Sequence, residues 1–264
     1  DEGHRLIVRR VPPIARLRML LARFRPVAVA VVVFVPSLVA AQAFPRATDG
    51  IAMPRARLTI RGGADAPRAQ GGFWDAATDQ LTLSRTGLGA PSVAAEFGVA
   101  LGSRVEVTLG AGVSHRTTGS SYRRFVDTQN AEIEQRTALQ RVPVVAGMRV
   151  NLLAPGWRAG SMSPRRVVPY FAAGGGMLHW RLRQTGDFVD FRDLGVVAGT
   201  YTASGWAPTG FGAAGVDVAM GARTVLALDA RYTVARGRLG AEFPGTGTLD
   251  LASVAVTAGV GWRF

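Results

Sequence analysis

Leu251-Ala-Ser-Val-Ala-Val-Thr-Ala-Gly-Val-Gly-Trp-Arg-Phe264, LASVAVTAGVGWRF, alternates apolar with small or polar residues up to a final aromatic side chain. Successive side chains of a strand point to opposite faces, so the stretch separates into two lists. Val254, Val256, Ala258, Val260, Trp262 and Phe264 share one face, while Leu251, Ser253, Thr257 and Arg263 share the other. Chain ends are normally polar and frayed, so an apolar end reads as part of a structural strand.

Beyond residue 54 no helical stripe stands out, and the two-residue period recurs in eight segments. They cover 55–62, 92–101, 104–116, 134–151, 166–183, 204–218, 223–236 and 250–264. Most exceed the five or six residues usual in soluble proteins and approach the 9 to 11 that cross a bilayer at a tilt. The third sets Val105, Val107, Leu109, Ala111 and Val113 against Glu106, Thr108, Gly110, Gly112 and Ser114. In the seventh, Leu226, Leu228, Ala230, Tyr232 and Val234 oppose Ala227, Asp229, Arg231 and Thr233. The fifth is expected to turn Val168, Tyr170, Ala172, Leu178, Trp180 and Leu182 outward and His179, Arg181 and Arg183 inward.

Periodicity alone does not choose between a soluble sandwich with an apolar core and a membrane barrel with an apolar exterior. Connection lengths do discriminate. Short links at 102–103 and 219–222 alternate with long ones at 63–91, 117–133, 184–203 and 237–249, with an intermediate one at 152–165. That is the pattern of an up-and-down barrel with short turns at one end and long loops at the other. The outward aromatics are expected in two girdles, Tyr170, Trp262 and Phe264 at the inner rim and Trp180, Trp206 and Tyr232 at the outer.

The start of the chain fits export. Seven arginines within residues 1–43 precede or flank the apolar run Val27–Ala41, which ends in Ala41-Gln42-Ala43, an A-x-A cleavage pattern. The expected organisation is 1–18 as an upstream segment, 19–43 as a signal peptide and 44–264 as the barrel. A retained anchor, which needs nearer 20 apolar residues, is the competing reading. The chain has 264 residues, 48% of them hydrophobic, 33 glycines, no cysteine and a net charge of +13 in which all 31 basic residues are arginine. Without cysteine, disulfide frameworks, thiolate catalysis and zinc-thiolate sites are excluded. Removing residues 1–43 leaves 24 arginines against 16 acids.

A signal peptide, eight alternating segments and the terminal stripe together resemble the small outer-membrane β-barrels of Gram-negative bacteria, the porin-family barrels similar to the OmpA and OmpX transmembrane domains. The resemblance covers 55–264. It implies an all-β fold, an eight-stranded antiparallel up-and-down transmembrane barrel, in the outer membrane. It further implies that Val260, Trp262 and Phe264 form the signal read by the barrel assembly machinery.

An eight-stranded barrel is just wide enough for its own side chains to fill. Glu96, Glu106, Asp217 and Asp229 are expected in the lumen with Arg141, Arg149, Arg181 and Arg231, as a network of ion pairs. Lipid A-modifying barrels use serine and histidine at the rim, and Ser114 and His179 are expected to share the lumen here. Ser114 and His115 are strand neighbours and face opposite ways. Gly210-Phe-Gly-Ala-Ala-Gly215 matches G-x-G-x-x-G in letters, yet Val216-Asp-Val-Ala continues as strand where a dinucleotide site needs a helix. At the outer loops and strand ends, Arg116, Arg123, Arg124, Arg183, Arg192, Arg236 and Arg238 are candidates to hold phosphates of lipopolysaccharide or another anionic surface glycan, against the alternative of an ordinary solvated loop in which acids such as Asp127, Glu132, Asp187, Asp190, Asp193 and Glu242 are interspersed. No cofactor, metal or nucleic-acid partner is expected. The expected protein is a monomeric, non-enzymatic barrel with a structural, adhesive or surface-interaction role, in contact with outer-membrane lipid and lipopolysaccharide. The alternatives are an outer-membrane lipid A-modifying enzyme and a soluble lipocalin-like barrel, which would enclose Leu226, Leu228, Val254 and Val256.

Overall fold

A computed structural model describes residues 55–127, 129–154, 166–189, 195–240, 243 and 247–264. The expected upstream segment, signal peptide and cleavage site lie outside the described residues, as do Asp190, Arg192, Asp193 and Glu242. The strands are β1 (Ala56–Pro67), β2 (Ala90–Ala100), β3 (Val105–Val126), β4 (Glu132–Asn151), β5 (Val167–Val189), β6 (Val196–Ala219), β7 (Thr224–Arg238), the short β8 (Thr248–Asp250) and β9 (Ser253–Arg263). Helix α1 (Gly72–Gln80) lies between β1 and β2. Each strand pairs antiparallel with the next from β1 to β7; β7 then pairs with β9 and β9 with β1. The sheet is therefore a closed ring of eight strands, and β8 adds three residues to the far end of β7 through Arg236↔Asp250. Closure leaves no edge along the ring, and the terminal strand takes part through Leu58↔Trp262 and Thr224↔Trp262.

The terminal stripe, β3 and β7 present the expected faces. Leu228, Val254 and Val256 are 41%, 48% and 62% exposed on the outside, which excludes the lipocalin-like arrangement that would enclose them. Around the ring the outside is apolar, with Ile60, Leu109, Met148, Trp206, Tyr232, Trp262 and Phe264 all exposed. The inside is polar towards the end that carries both described termini, here called the base.

Strand β5 has the opposite phase to the expected one. Val168, Tyr170, Leu178, Trp180 and Leu182 are buried inside, and Arg181 and Arg183 are exposed outside. The register requires it, because Tyr170 pairs with Asn151 and Trp180 with Arg141, both of which are buried. Arg181 is thus not in the lumen, and Tyr170 and Trp180 are not girdle residues. Phe171, 57% exposed, takes the outward aromatic position next to Tyr170.

The long connections are shorter than expected because the strands run on. β3 continues to Val126, β4 starts at Glu132, β5 continues to Val189 and β6 starts at Val196. These extensions build a crown above the polar lumen with its own apolar core. Leu139, Leu178, Trp180, Leu182, Leu249 and Leu251 pack there with Phe73 and Trp74 of α1. The helix is anchored by burial of Phe73, Trp74 and Ala77. The Trp74 Nε1–H donates to the Asp250 carbonyl at 3.0 Å. At the middle of the barrel, glycine makes room for aromatic rings: a Cβ on either Gly147 or Gly174 would meet the Phe211 ring at 2.9 Å.

Candidate functional site

The lumen arises from polar stripes on β1 to β4, β6, β7 and β9, the last contributing Ser253 and Arg263. The stripe Arg57, Thr59, Arg61 and Asp65 of β1 is buried, and it faces Glu96 of β2, Glu106 and Ser114 of β3, Arg141 and Arg149 of β4, and Asp217 and Asp229 of β6 and β7. Near the base, Asp217 Oδ2 accepts from Arg149 Nη2 at 2.6 Å, Arg57 Nη1 at 3.1 Å and Arg263 Nη2 at 3.3 Å. Arg57 also pairs with Glu96 at 3.4 Å and Glu106 at 3.2 Å. Glu96 in turn takes Arg61 and Arg231, each at 3.0 Å. Asn151 Nδ2 donates to Glu106 at 2.8 Å, and the Tyr170 hydroxyl donates to Asp229 at 2.9 Å. Two guanidiniums also lie on rings, Arg149 at 3.5 Å from the Tyr170 centroid and Arg231 at 4.4 Å from that of Phe211.

A second tier lies towards the crown. Arg141 pairs with Asp65 at 3.0 Å and donates to Ser253 Oγ at 2.6 Å, while Ser114 Oγ donates to Asp65 at 2.8 Å. Between the tiers lies a cavity of about 80 Å³ lined by residues including Arg61, Asp65, Ser92, Arg141 and Thr257. This is room for a few waters, at roughly 10 to 15 Å³ each. Above it the crown core closes the lumen with Leu139, Leu178 and Leu182.

Of the expected lumen residues, Glu96, Glu106, Arg141, Arg149, Asp217 and Asp229 are buried in this network, and Arg231 joins it with its side chain 19% exposed. Arg181 stands outside. Sequence reading missed Arg57, Arg61, Asp65, Asn151, Tyr170 and Arg263 as partners. The signal for three of them was present, since Arg57, Thr59, Arg61, Gly63 and Asp65 alternate through β1 as regularly as any polar stripe.

The expected serine and histidine do not meet. Ser114 is buried against Asp65, whereas His179 lies on the outer face with its ring 5.1 Å from that of Trp206. The opposite phase of β5 separates them across the wall. Val260, Trp262 and Phe264 stand in the outward stripe of β9, where the Phe264 ring lies 6.4 Å from that of Phe97.

The arginines of the strand ends divide. Arg123 Nε donates to the Leu81 carbonyl at 2.7 Å and Arg124 approaches Asp79 at 3.6 Å, so both serve to hold α1. Arg116, Arg183, Arg236 and Arg238 are exposed. Below α1, Asp250 accepts from Arg68 Nε at 3.0 Å, from the Ala252 N–H at 3.1 Å and from the Gln70 N–H at 3.2 Å. Burial alone would raise the Asp250 carboxyl, but these donors outweigh it and hold it below its ordinary value.

The chain is similar to outer-membrane barrel proteins. Ail, the attachment invasion locus protein of Yersinia pestis, matches at 11% identity and a TM-score of 0.44, over 81% of this chain and all of the other. The outer membrane protein OprG from Pseudomonas aeruginosa matches at 13% and 0.43, covering 82% and 99% of the two chains. The outer membrane protease OmpT from Escherichia coli matches at 9% and 0.44, covering 83% and 100%. No protein-family model and no curated protein sequence matches the chain.

Proposed function

We propose that this chain is a non-enzymatic outer-membrane β-barrel with a side-chain-filled lumen and a structural or surface-interaction role. One observation carries the reading: the barrel is inside out relative to a soluble protein. Its lower wall is exposed and apolar around the ring, and its lumen holds buried arginines and carboxylates. Large apolar surfaces of this kind need a partner, and a belt encircling the molecule fits lipid better than a single protein. On β5 the outward run from Val167 to Met177 carries no charge. At about 3.3 Å per residue and a tilt near 40°, it rises about 25 Å, the height of the apolar band of such barrels.

In this orientation the base faces the periplasm and the crown faces outward. Ion pairs crowd the lumen and the apolar crown closes it, which favours a structural barrel over a pore. The terminal stripe, exposed at the base, is available to assembly machinery. The test is electrophoresis of the full chain from detergent without boiling. A barrel held by closed strand pairing should migrate as a compact band that converts to the unfolded mobility on heating. A single mobility with and without boiling would count against the proposal.

A further inference from the structure

The outer wall of β3 to β6 changes character within one row of residues. Val142, His179 and Trp206 stand side by side on the outer face, by the pairings Val142↔His179 and His179↔Trp206. The next outward row towards the crown is Gln140, Arg181 and Ser204, and the one after it Ala138, Arg183 and Thr202. Arg136 stands one row further, opposite Gly119 and Thr185. Arg136, Arg181 and Arg183 are all exposed. Positions two apart on one strand face are about 6.6 Å apart and diagonal cross-strand neighbours roughly 7 to 8 Å. Arg181 and Arg183 have the first relation, and Arg183 and Arg136 the second. The outward carboxylates nearest this patch, Glu134 and Asp187, occupy the next row towards the crown, beside Arg136 and beyond Arg181 and Arg183.

We infer that this patch binds the phosphates of a phosphorylated glycolipid, lipid A of the outer leaflet, whose acyl chains lie on the apolar wall below. The inference rests on the outer-membrane reading and adds a ligand and a site to it. Three features favour this occupant. The arginines begin in the row above Trp206, 60% exposed, at the point where the uncharged wall ends, so headgroup and acyl chains would meet surfaces of matching character. Guanidinium forks bind phosphate oxygens in pairs, and three of them within one patch suit a headgroup carrying more than one phosphate. Gln140 and Ser204 in the same row add neutral hydrogen-bonding groups suited to sugar hydroxyls. The patch differs from the arginines that hold α1, because Arg123 and Arg124 are already engaged by the helix.

The experiment uses the full chain folded in detergent micelles and native mass spectrometry to measure binding of bisphosphorylated lipid A. The variants are R136A/R181A/R183A, R181Q alone and R124A, each first checked for the heat-convertible band. Wild type and R124A should bind alike, and the triple variant should bind about tenfold more weakly or less, as expected for loss of charge-assisted hydrogen bonds. R181Q should fall in between, and it carries the test should the triple variant not fold. Dephosphorylated lipid A should bind wild type as weakly as lipid A binds the triple variant, and millimolar inorganic phosphate should not displace the lipid. Equal lipid A binding by wild type and the folded arginine variants would overturn the inference while leaving the barrel intact. Displacement by inorganic phosphate would assign the patch to a free anion and overturn it as well. Absence of a folded wild-type band would instead defeat the outer-membrane reading on which it rests.

Discussion

At the residue scale the lumen is organised around shared carboxylates. Asp217 is 1% exposed and serves Arg57, Arg149 and Arg263, while Glu96 serves Arg57, Arg61 and Arg231. Removing one partner from a buried ionic cluster is far more damaging than replacing the cluster as a whole, because the remaining charges stay buried without compensation. Asp217→Asn keeps the shape and removes the charge from beneath three guanidiniums. The expected cost is about 3 to 5 kcal/mol. It should appear as a clear drop in the temperature at which the compact electrophoretic band converts, and an unchanged conversion temperature would show that the network does not hold the barrel. Many of these residues were legible in the sequence, since Glu96, Glu106, Asp217 and Asp229 lie in stripes whose opposite face is plainly apolar. Tyr170 was not, because its stripe in β5 is apolar and its hydroxyl is satisfied by Asp229 from a strand 59 residues away.

At the element scale, contrast between the two faces decided what could be read. β7 and β9 set apolar against small or polar residues, and their inward and outward faces follow directly. β5 offers two apolar stripes, Val168, Tyr170, Leu178 and Trp180 against Val167, Phe171 and Met177, so alternation gives two faces without saying which is inside. The rule of polar inside and apolar outside also reverses at the level of His179. Above it, Trp180 and Leu182 enter a water-excluding core while Arg181 and Arg183 meet solvent. The extensions of β3 and β4 carry polar residues on much of both faces, which reads as loop. Helix α1 has nine residues and too few turns to show a stripe. The crown nevertheless has a defined latch in Arg68 and Asp250. Because the Asp250 carboxyl is held below its ordinary value of 3.8, its stabilising effect is complete above that value and fades as pH falls through the lowered one. Hydrogen exchange should therefore find α1 amides protected to the same degree at neutral pH and pH 5 after correction for intrinsic rates, with protection lost only in stronger acid. Asp250→Asn should reduce their protection already at neutral pH, and unchanged protection in that variant would remove the latch.

At the scale of the whole molecule, two architectures share one set of strands. The lower part is a narrow barrel with ions inside and apolar residues outside; the upper part resembles a small soluble core capped by α1. The boundary between them is the ring level marked by His179 and Trp206, where the outer face gains arginine and the inner face loses charge. Tryptophans report on both sides of the wall: Trp206 and Trp262 are 60% and 44% exposed outside, whereas Trp74 and Trp180 are 0% and 1% exposed inside the crown. The most direct measurement is tryptophan fluorescence of the protein reconstituted in bilayers of brominated lipid, using variants that each retain one of these four tryptophans. Strong quenching of Trp206 and Trp262 with little quenching of Trp74 and Trp180 is the predicted result. Trp206 and Trp262 fluorescing as brightly in brominated as in ordinary lipid would contradict the claim that this wall faces the membrane.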